Sequence, residues 1–264
     1  MRHELPKTVR IARIIDEAQG IKSFLLRVRL DAKPGQFVMV WLPGVDSKPA
    51  AVSYQDEEYT GVTVSAVGSW SAALLSRKVG DYLGLFGPYG NGFTLSGHKI
   101  VLLGGGYGIA SLMLLAEEAL CRRLDVTCIV GARTESKLLY RRRMADMGLN
   151  VIYVTDDGSY GVKGTAVDVL SGLLKAEKVD ALYACGPELM EKRVAELCRE
   201  NRIPAEISLE RHMKCGFGVC GSCCLDPKGV RVCLEGPVFS AEKALSFTEF
   251  GKFHRDSSAA KHYF

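Results

Sequence analysis

The chain has 264 residues, 47% of them hydrophobic and 24% charged, with a net charge of +4; this supports more than one buried core and is too mild a charge to suggest a nucleic-acid ligand. Its apolar runs at 100–103 and 109–116 are broken by Gly and Ser well short of the ~20 residues of a membrane span, and the longest basic run, Arg141-Arg142-Arg143, reads as an exposed helix face. With no apolar signal core in MRHELPKTVRI, a cytoplasmic protein that binds neither nucleic acid nor membrane is expected.

Residues 1–95 read as β-rich. Segments 8–15, 21–30, 36–42, 51–54, 62–67 and 82–86 are short and rich in β-branched and aromatic residues, with turn signals at Gln19-Gly20, Lys33-Pro34-Gly35, Pro43-Gly44 and Gly87-Pro88. Six such strands, interrupted by one helix over 71–77, predict a small antiparallel barrel. After Ser96-Gly97 the pattern changes. Strand-like segments at 99–103, 126–130, 151–154 and 181–184 alternate with helix-like ones through Cys121 and at 138–147, 165–175 and 187–200. Such alternation predicts a parallel sheet with crossover helices. Residues 206–264 have little periodicity.

Two segments of the α/β region sit where ligands bind. Gly104-Gly105-Gly106-Tyr107-Gly108 follows a strand and opens a helix, so its glycines would let a pyrophosphate approach the backbone at the positive end of the helix dipole. The strict G-x-G-x-x-G fails, because its last position is Ile109. Tyr183-Ala184-Cys185-Gly186-Pro187 ends another strand, on the edge where open α/β sheets bind ligands; Cys185 alone reads equally as a buried hydrophobe. Asp156-Asp157-Gly158-Ser159 ends a third. Its acids would accept from ribose hydroxyls and repel a 2′-phosphate, or the stretch is a plain Asp-Gly turn.

The most informative feature lies near the C-terminus. Cys215-x4-Cys220-x2-Cys223-x9-Cys233 has the plant-type ferredoxin spacing for a 2Fe–2S cluster. Gly216, Gly218 and Gly221 suit a loop that must turn backbone N–H groups inward. Structural zinc sites use two separated C-x2-C pairs, and only one is present. An odd count of nine cysteines, with no apolar signal core in MRHELPKTVRI, makes disulfides unexpected. Cys224 reads as a packing residue beside the ligand Cys223, and Cys121, Cys128 and Cys198 as small core residues.

Together these segments resemble the ferredoxin–NADP reductase superfamily. Within it, Ser208-Leu209-Glu210-Arg211-His212-Met213-Lys214-Cys215-Gly216-Phe217-Gly218-Val219-Cys220-Gly221-Ser222-Cys223 is similar to the electron-transfer subunits of type B dihydroorotate dehydrogenase. Gly90-Asn91-Gly92-Phe93, Asp156-Asp157-Gly158-Ser159 and Gly236-Pro237-Val238-Phe239 also suit that family. The resemblance covers nearly the whole chain. It implies an FAD-binding barrel over 1–95, an NAD-binding α/β domain over 96–205 and a 2Fe–2S region with a tail over 206–264. It implies an oxidoreductase subunit of pyrimidine biosynthesis, paired with a separate FMN-containing catalytic subunit that oxidises dihydroorotate, two of each forming a heterotetramer. Electrons would pass from the partner through the 2Fe–2S cluster and FAD to NAD, the flavin linking one-electron and hydride chemistry.

By the same resemblance Lys48, Pro49, Ala50, Ala51, Val52 and Ser53 would bind the flavin. Gly68, Ser69, Trp70 and Ser71 would hold its pyrophosphate, with Asn91 nearby. Gly104, Gly105, Gly106 and Gly108, the acids Asp156 and Asp157, and Cys185, Gly186 and Pro187 would serve the nicotinamide nucleotide, and Cys215, Cys220, Cys223 and Cys233 the cluster. The family pattern Arg-Pro-x-Ser is altered here. Lys48 keeps the charge but not the bidentate fork, and Ala51 has no side-chain donor. One hydrogen bond is worth roughly 1 kcal/mol, and about 1.4 kcal/mol corresponds to roughly 30 mV for a two-electron couple, so a tuned flavin is expected. Ser53 or a backbone N–H would stand in. Trp70, where Gly is common, either stacks on the adenine or caps the barrel. Arg211, Lys214, Lys228 and Arg231 outnumber Glu210 and Asp226 around the cysteines, which either raises the cluster potential or forms a solvated face. His212, His98, His254 and His262 read as surface or supporting groups. Two alternatives remain. One is a flavin/iron–sulfur subunit of a sulfhydrogenase or ferredoxin:NADP transhydrogenase, where the first ligand is often Asp rather than Cys. The other is a flavin-free regulatory subunit.

Overall fold

The computed structural model describes residues 5–264. Strands β1 (Lys7–Ala18), β2 (Ile21–Leu26), β3 (Phe37–Leu42), β4 (Asp46–Gln55), β5 (Thr60–Ser65) and β6 (Tyr82–Tyr89) close into an antiparallel barrel in the order β1-β2-β5-β4-β3-β6. Alternate residues point inward, so Val9, Ile11, Phe24, Val38, Val40, Val52, Val62 and Leu83 form its core. Helix α1 (Ser69–Leu75) follows β5 and buries Trp70 and Leu74 against that core.

The barrel is not uniformly zipped. All of β4 up to Ala51 pairs with β3, but its pairing with β5 begins only at Val52↔Val62 and is interrupted by a bulge before Tyr54↔Gly61. Val52 N–H donates to Gln36 O across the β3 side. Antiparallel alternation therefore turns the N–H and C=O of Ala51, and the C=O of Pro49, into the open seam. Pro49 lies inside the strand, whereas the predicted strand begins only at Ala51. A proline is tolerated there because no neighbouring strand needs its missing donor.

The second sheet is built from β7 (Lys99–Gly105), β8 (Asp125–Ala132), β9 (Asn150–Thr155), β10 (Val162–Lys163), β11 (Ala181–Cys185) and β12 (Ala205–Ser208), which are parallel, with β15 (Val238–Ser240) added antiparallel to β12. The order β10-β9-β8-β7-β11-β12-β15 winds outward in both directions from the β7/β11 pair. Ligands bind at the carboxyl ends of such a reversal. Helices α2 (Met113–Cys121), α3 (Arg141–Asp146), α4 (Ala166–Ala176) and α5 (Glu188–Glu200) make the crossovers. The stretch expected to be aperiodic supplies β12 and β15, so the expected break at 205/206 falls inside a strand. Between these two strands the chain inserts the cysteine segment, with the hairpin β13 (Cys224–Leu225) and β14 (Val230–Arg231) and the short α6 (Val232–Glu235). Helix α7 (Ala241–Leu245) and the hairpin β16 (Phe253–Arg255) with β17 (Lys261–Tyr263) finish it.

The helix expected over 138–147 starts only at Arg141. Leu138, Leu139 and Tyr140 are buried, and Tyr140 is left-handed at φ 57°, so the apolar run plugs the core instead of opening the helix. The Tyr140 hydroxyl meets Thr63 of the barrel, whose Oγ1 also bonds Ser23 at 2.7 Å and Ser53 at 2.9 Å. Arg143 donates to Ser53 O at 2.8 Å and to Glu117 at 2.8 Å while lying 3.6 Å over the Tyr54 ring. These contacts lock the barrel to the sheet behind β4. Tyr140→Phe leaves Thr63 its two serine partners, so the expected loss is about 1 kcal/mol, read as a lower urea midpoint with an unchanged slope.

Candidate functional site

The open seam of β4, the start of α1 and the carboxyl ends of β7 and β11 enclose one cavity of about 430 Å³. Lys48, Pro49, Ala50 and Ala51 form one wall, Gly68, Ser69, Trp70 and Ser71 a second, and Gly108 and Cys185 a third. At the second wall Ser71 Oγ accepts from Val67 N–H and Gly68 N–H at 2.9 Å each. This orders the entry to α1, where first-turn N–H groups have no partner within the helix. Lys48 Nζ lies 2.8 Å from Asp46 at the same cavity. A cavity of about 500 Å³ opens at the opposite edge of the sheet, by the first residues of β11 and β12. Its buried Tyr183 and half-buried Glu206 are already partnered by Ser96 and Thr94, and it contains none of the expected site residues.

Acidic groups gather where the cavity meets the sheet. Cys185 is buried, and desolvation, then the nearby Glu191, push its thiol well above the ordinary range. Glu191 is also buried and accepts from Gly186 N–H at 2.9 Å. Desolvation raises its carboxyl well above 4.5 despite that bond. Tyr107 donates to Glu210 at 2.9 Å, joining the β7 turn to the chain leaving β12. Glu210 is raised by desolvation, opposed by the Tyr107 bond. His212 lines the cavity and is held low by desolvation and by Lys48 and Lys214.

The cysteine segment forms two thiol pairs. Cys223 is drawn down to about 6 by its hydrogen bond with Cys233, which is correspondingly raised. Cys220, though desolvated, is brought to about 6 by Ser222 and Cys215. Backbone amides point at the sulfurs: Gly218 N–H to Cys233 at 3.1 Å, Val219 N–H to Cys215 at 3.4 Å and Cys233 N–H to Cys223 at 3.4 Å. Gly216 has φ 81°, and a Cβ there would come within 2.5 Å of Met39 on β3. The segment thus lies directly on the barrel. Phe37, in the cavity wall, meets Tyr89 at 6.1 Å between ring centres, and Tyr89 meets Phe217 at 6.2 Å. Two thiol pairs, each receiving backbone N–H bonds, suit a two-iron cluster.

A family model for the iron–sulfur cluster binding domain of dihydroorotate dehydrogenase B matches residues 210–244. The "probable dihydroorotate dehydrogenase B (NAD(+)), electron transfer subunit" of Methanocaldococcus jannaschii is 42% identical, covering 99% of this chain and 100% of that protein. The protein of the same description from Pyrococcus furiosus is 41% identical over 94% of this chain and 96% of its own. The chain belongs to the dihydroorotate dehydrogenase B electron-transfer subunits. The structure of an NADH-dependent reduced ferredoxin–NADP oxidoreductase aligns with a TM-score of 0.81 at 30% identity, covering 89% of this chain and 88% of the other. The FAD/NAD-binding domain of a Vibrio cholerae nitric oxide dioxygenase shares the fold, with a TM-score of 0.67 at 20% identity over 77% of this chain and 99% of that one.

For an electron-transfer subunit of this family, the cavity fits a flavin nucleotide: backbone donors face it from Ala51 and from the first turn of α1. Several expected residues lie elsewhere. Val52 is in the barrel core. Ser53 is fully buried and spends its hydroxyl on Thr63 and Gly61 O, so it is not free to stand in for the side chain missing at Ala51, whereas the backbone N–H of Ala51 lies on the unpaired edge facing the cavity. Trp70 packs its indole into the barrel core with Nε1 unpartnered, which is the barrel-capping alternative. Asn91 reaches the other way, donating to Glu235 O and Gly236 O. Gly104, Gly105 and Gly186 are crowded by Ile109, Pro187 and Met190, whereas Gly106 opens on free space. Pro187 caps α5. Asp156 and Asp157 are exposed at the end of β9, away from the cavity, and Asp157 accepts from Ser159 N–H and Oγ in a turn. Arg211 is no free charge beside the cluster, being buried between Glu188 and Glu249.

Tyr107, Glu191, Glu210 and His212 are missed by sequence reasoning; all but Glu191 border the cavity directly. Tyr107 carried a signal inside the glycine cluster, and Glu210 and His212 inside the run at 208–223; Glu191 carried none. Glu191 titrates higher in the fold than its ordinary 4.5, so its contribution to stability is full below that value and is lost as pH rises through the folded pKa. Glu191→Gln should remove this dependence, gaining on the parent by up to about 1.4 kcal/mol per pH unit above 4.5, as measured by denaturant unfolding across pH.

Proposed function

We propose that this chain carries electrons between NAD and an FMN-containing catalytic subunit that oxidises dihydroorotate, in pyrimidine biosynthesis, within an assembly of two subunits of each kind. When bound, the 2Fe–2S cluster exchanges single electrons, FAD one or two, and NAD a hydride. The observation that carries the reading is the four-thiol segment inserted between adjacent strands of the nucleotide sheet and laid on the barrel beside the cavity.

In this reading residues 1–95 bind FAD, 96–205 NAD, and 206–264 the cluster. Lys48, Pro49, Ala50 and Ala51 flank the flavin along the unpaired edge of β4. Gly68, Ser69, Trp70 and Ser71 offer first-turn amides to its pyrophosphate. Gly106, Gly108, Cys185, Gly186 and Pro187 shape the place of the nicotinamide, and the exposed Asp156 and Asp157 disfavour a 2′-phosphate. Cys215, Cys220, Cys223 and Cys233 would hold the cluster. The likeness to the reduced ferredoxin–NADP oxidoreductase at 30% identity favours a second reading with a different partner, but a cysteine at position 215 supports the dihydroorotate branch.

Anaerobic titration with NADH, followed through flavin and cluster absorbance, tests the reading. It should bleach the flavin and then the cluster, with NADPH far less effective; protein lacking acid-labile sulfide, or flavin that NADH leaves oxidised, would overturn it. The ligand assignment is tested separately by iron and sulfide content. Cys223→Ala should lose the cluster. Cys224→Ala, one residue on in β13 and paired with Arg231, should keep it.

A further inference from the structure

A continuous chain of alternating charges runs from inside the cysteine segment to the nucleotide crevice. Asp226 lies between Cys223 and Cys233 and pairs with Arg255 at 2.7 Å. Arg255 reaches Glu249 at 3.8 Å. Glu249 pairs with Arg211 at 3.3 Å, and Arg211 grips both oxygens of Glu188 at 2.5 and 3.0 Å. Glu188 opens α5 directly after Cys185-Gly186-Pro187 and also accepts from Gly251 N–H at 2.7 Å. Thr248 N–H donates to Asp226 O at 3.1 Å, adding a backbone link at the far end.

The centre of this chain is dry. The side chains of Arg211 and Glu249 are 3% and 1% exposed, and Glu188 only 9%. Two carboxylates this buried would repel without the guanidinium between them, and breaking a buried pair costs far more than breaking a surface one. Arg211 suits the place because a planar fork can serve two carboxylates at once. It follows Glu210, which points to Tyr107 at the end of β7. Consecutive residues leaving β12 are therefore tied to the turns after β7 and β11, the two that border the crevice.

We propose that Arg211 is a positioning residue, holding the cysteine segment in a fixed place relative to the nucleotide crevice by bridging Glu188 and Glu249. The proposal rests on the electron-transfer reading above. Bonds between elements distant in sequence set the separation over which electrons pass, and small misplacements of reacting groups carry large rate penalties.

The test uses the full chain loaded with FAD and cluster, mixed rapidly with NADH. In Arg211→Met, amide exchange over 212–224 should accelerate, and reduction of the cluster should slow about tenfold more than reduction of the flavin. Glu249→Gln, which keeps the side-chain shape but removes one of the two carboxylates Arg211 bridges, should keep flavin reduction unchanged, accelerate amide exchange over 212–224 and slow cluster reduction by roughly threefold, less than Arg211→Met because Arg211 keeps Glu188; it decides the matter if Arg211→Met does not fold. Wild-type cluster reduction and amide exchange in a folded Glu249→Gln, or in a folded Arg211→Met, would overturn the assignment of Arg211 alone. A parent protein whose flavin NADH does not bleach would overturn the electron-transfer reading and this proposal with it.

Discussion

The site depends on an unpaired edge of β-strand inside a closed barrel. A barrel normally satisfies its backbone by pairing all round. Here β4 and β5 part over residues 46–51, and Pro49 and Ala51 are left facing a cavity. Backbone polar groups freed in this way need a partner, and a planar heterocycle with donors and acceptors on its rim can provide one. The same opening admits the carboxyl ends of β7 and β11, the switch point of the parallel sheet.

Joining a barrel to a sheet is useful for hydride and electron transfer only if the two bodies hold their register. The contacts at Tyr140, Arg143 and Thr63 secure the back of β4. The cysteine segment secures the front, since Gly216 lies against Met39 and Phe217 against Tyr89. Asn91 fastens the end of the barrel to the turn after α6. The segment is thus wedged among barrel, sheet and C-terminal hairpin, and it needs no large core of its own.

Burial around the crevice also sets its chemistry. Cys185, Glu191 and Glu210 all favour their neutral forms because desolvation outweighs the hydrogen bonds they receive. An environment that suppresses negative charge next to the cavity is compatible with an anionic dinucleotide approaching it. Lys48 adds positive character on the barrel side.

The alternation of periodicity, the turn residues and the cysteine spacing are local, and they were legible without coordinates: barrel strands, parallel sheet and four-cysteine loop could be read in order along the chain. The strands β12 and β15 could not, because each is short and becomes a strand only by pairing with a neighbour. Nor could the fate of Ser53, Trp70 and Arg211, whose residue types fit a ligand site equally well until burial assigned them to Thr63, to the barrel core and to Glu188 with Glu249. Sequence by itself determined which chemistry the chain can hold, since thiol spacing and glycine placement are properties of a few consecutive residues. Only the tertiary structure decided which polar groups are left free to use it, because hydrogen-bond partners come from segments far apart in the chain.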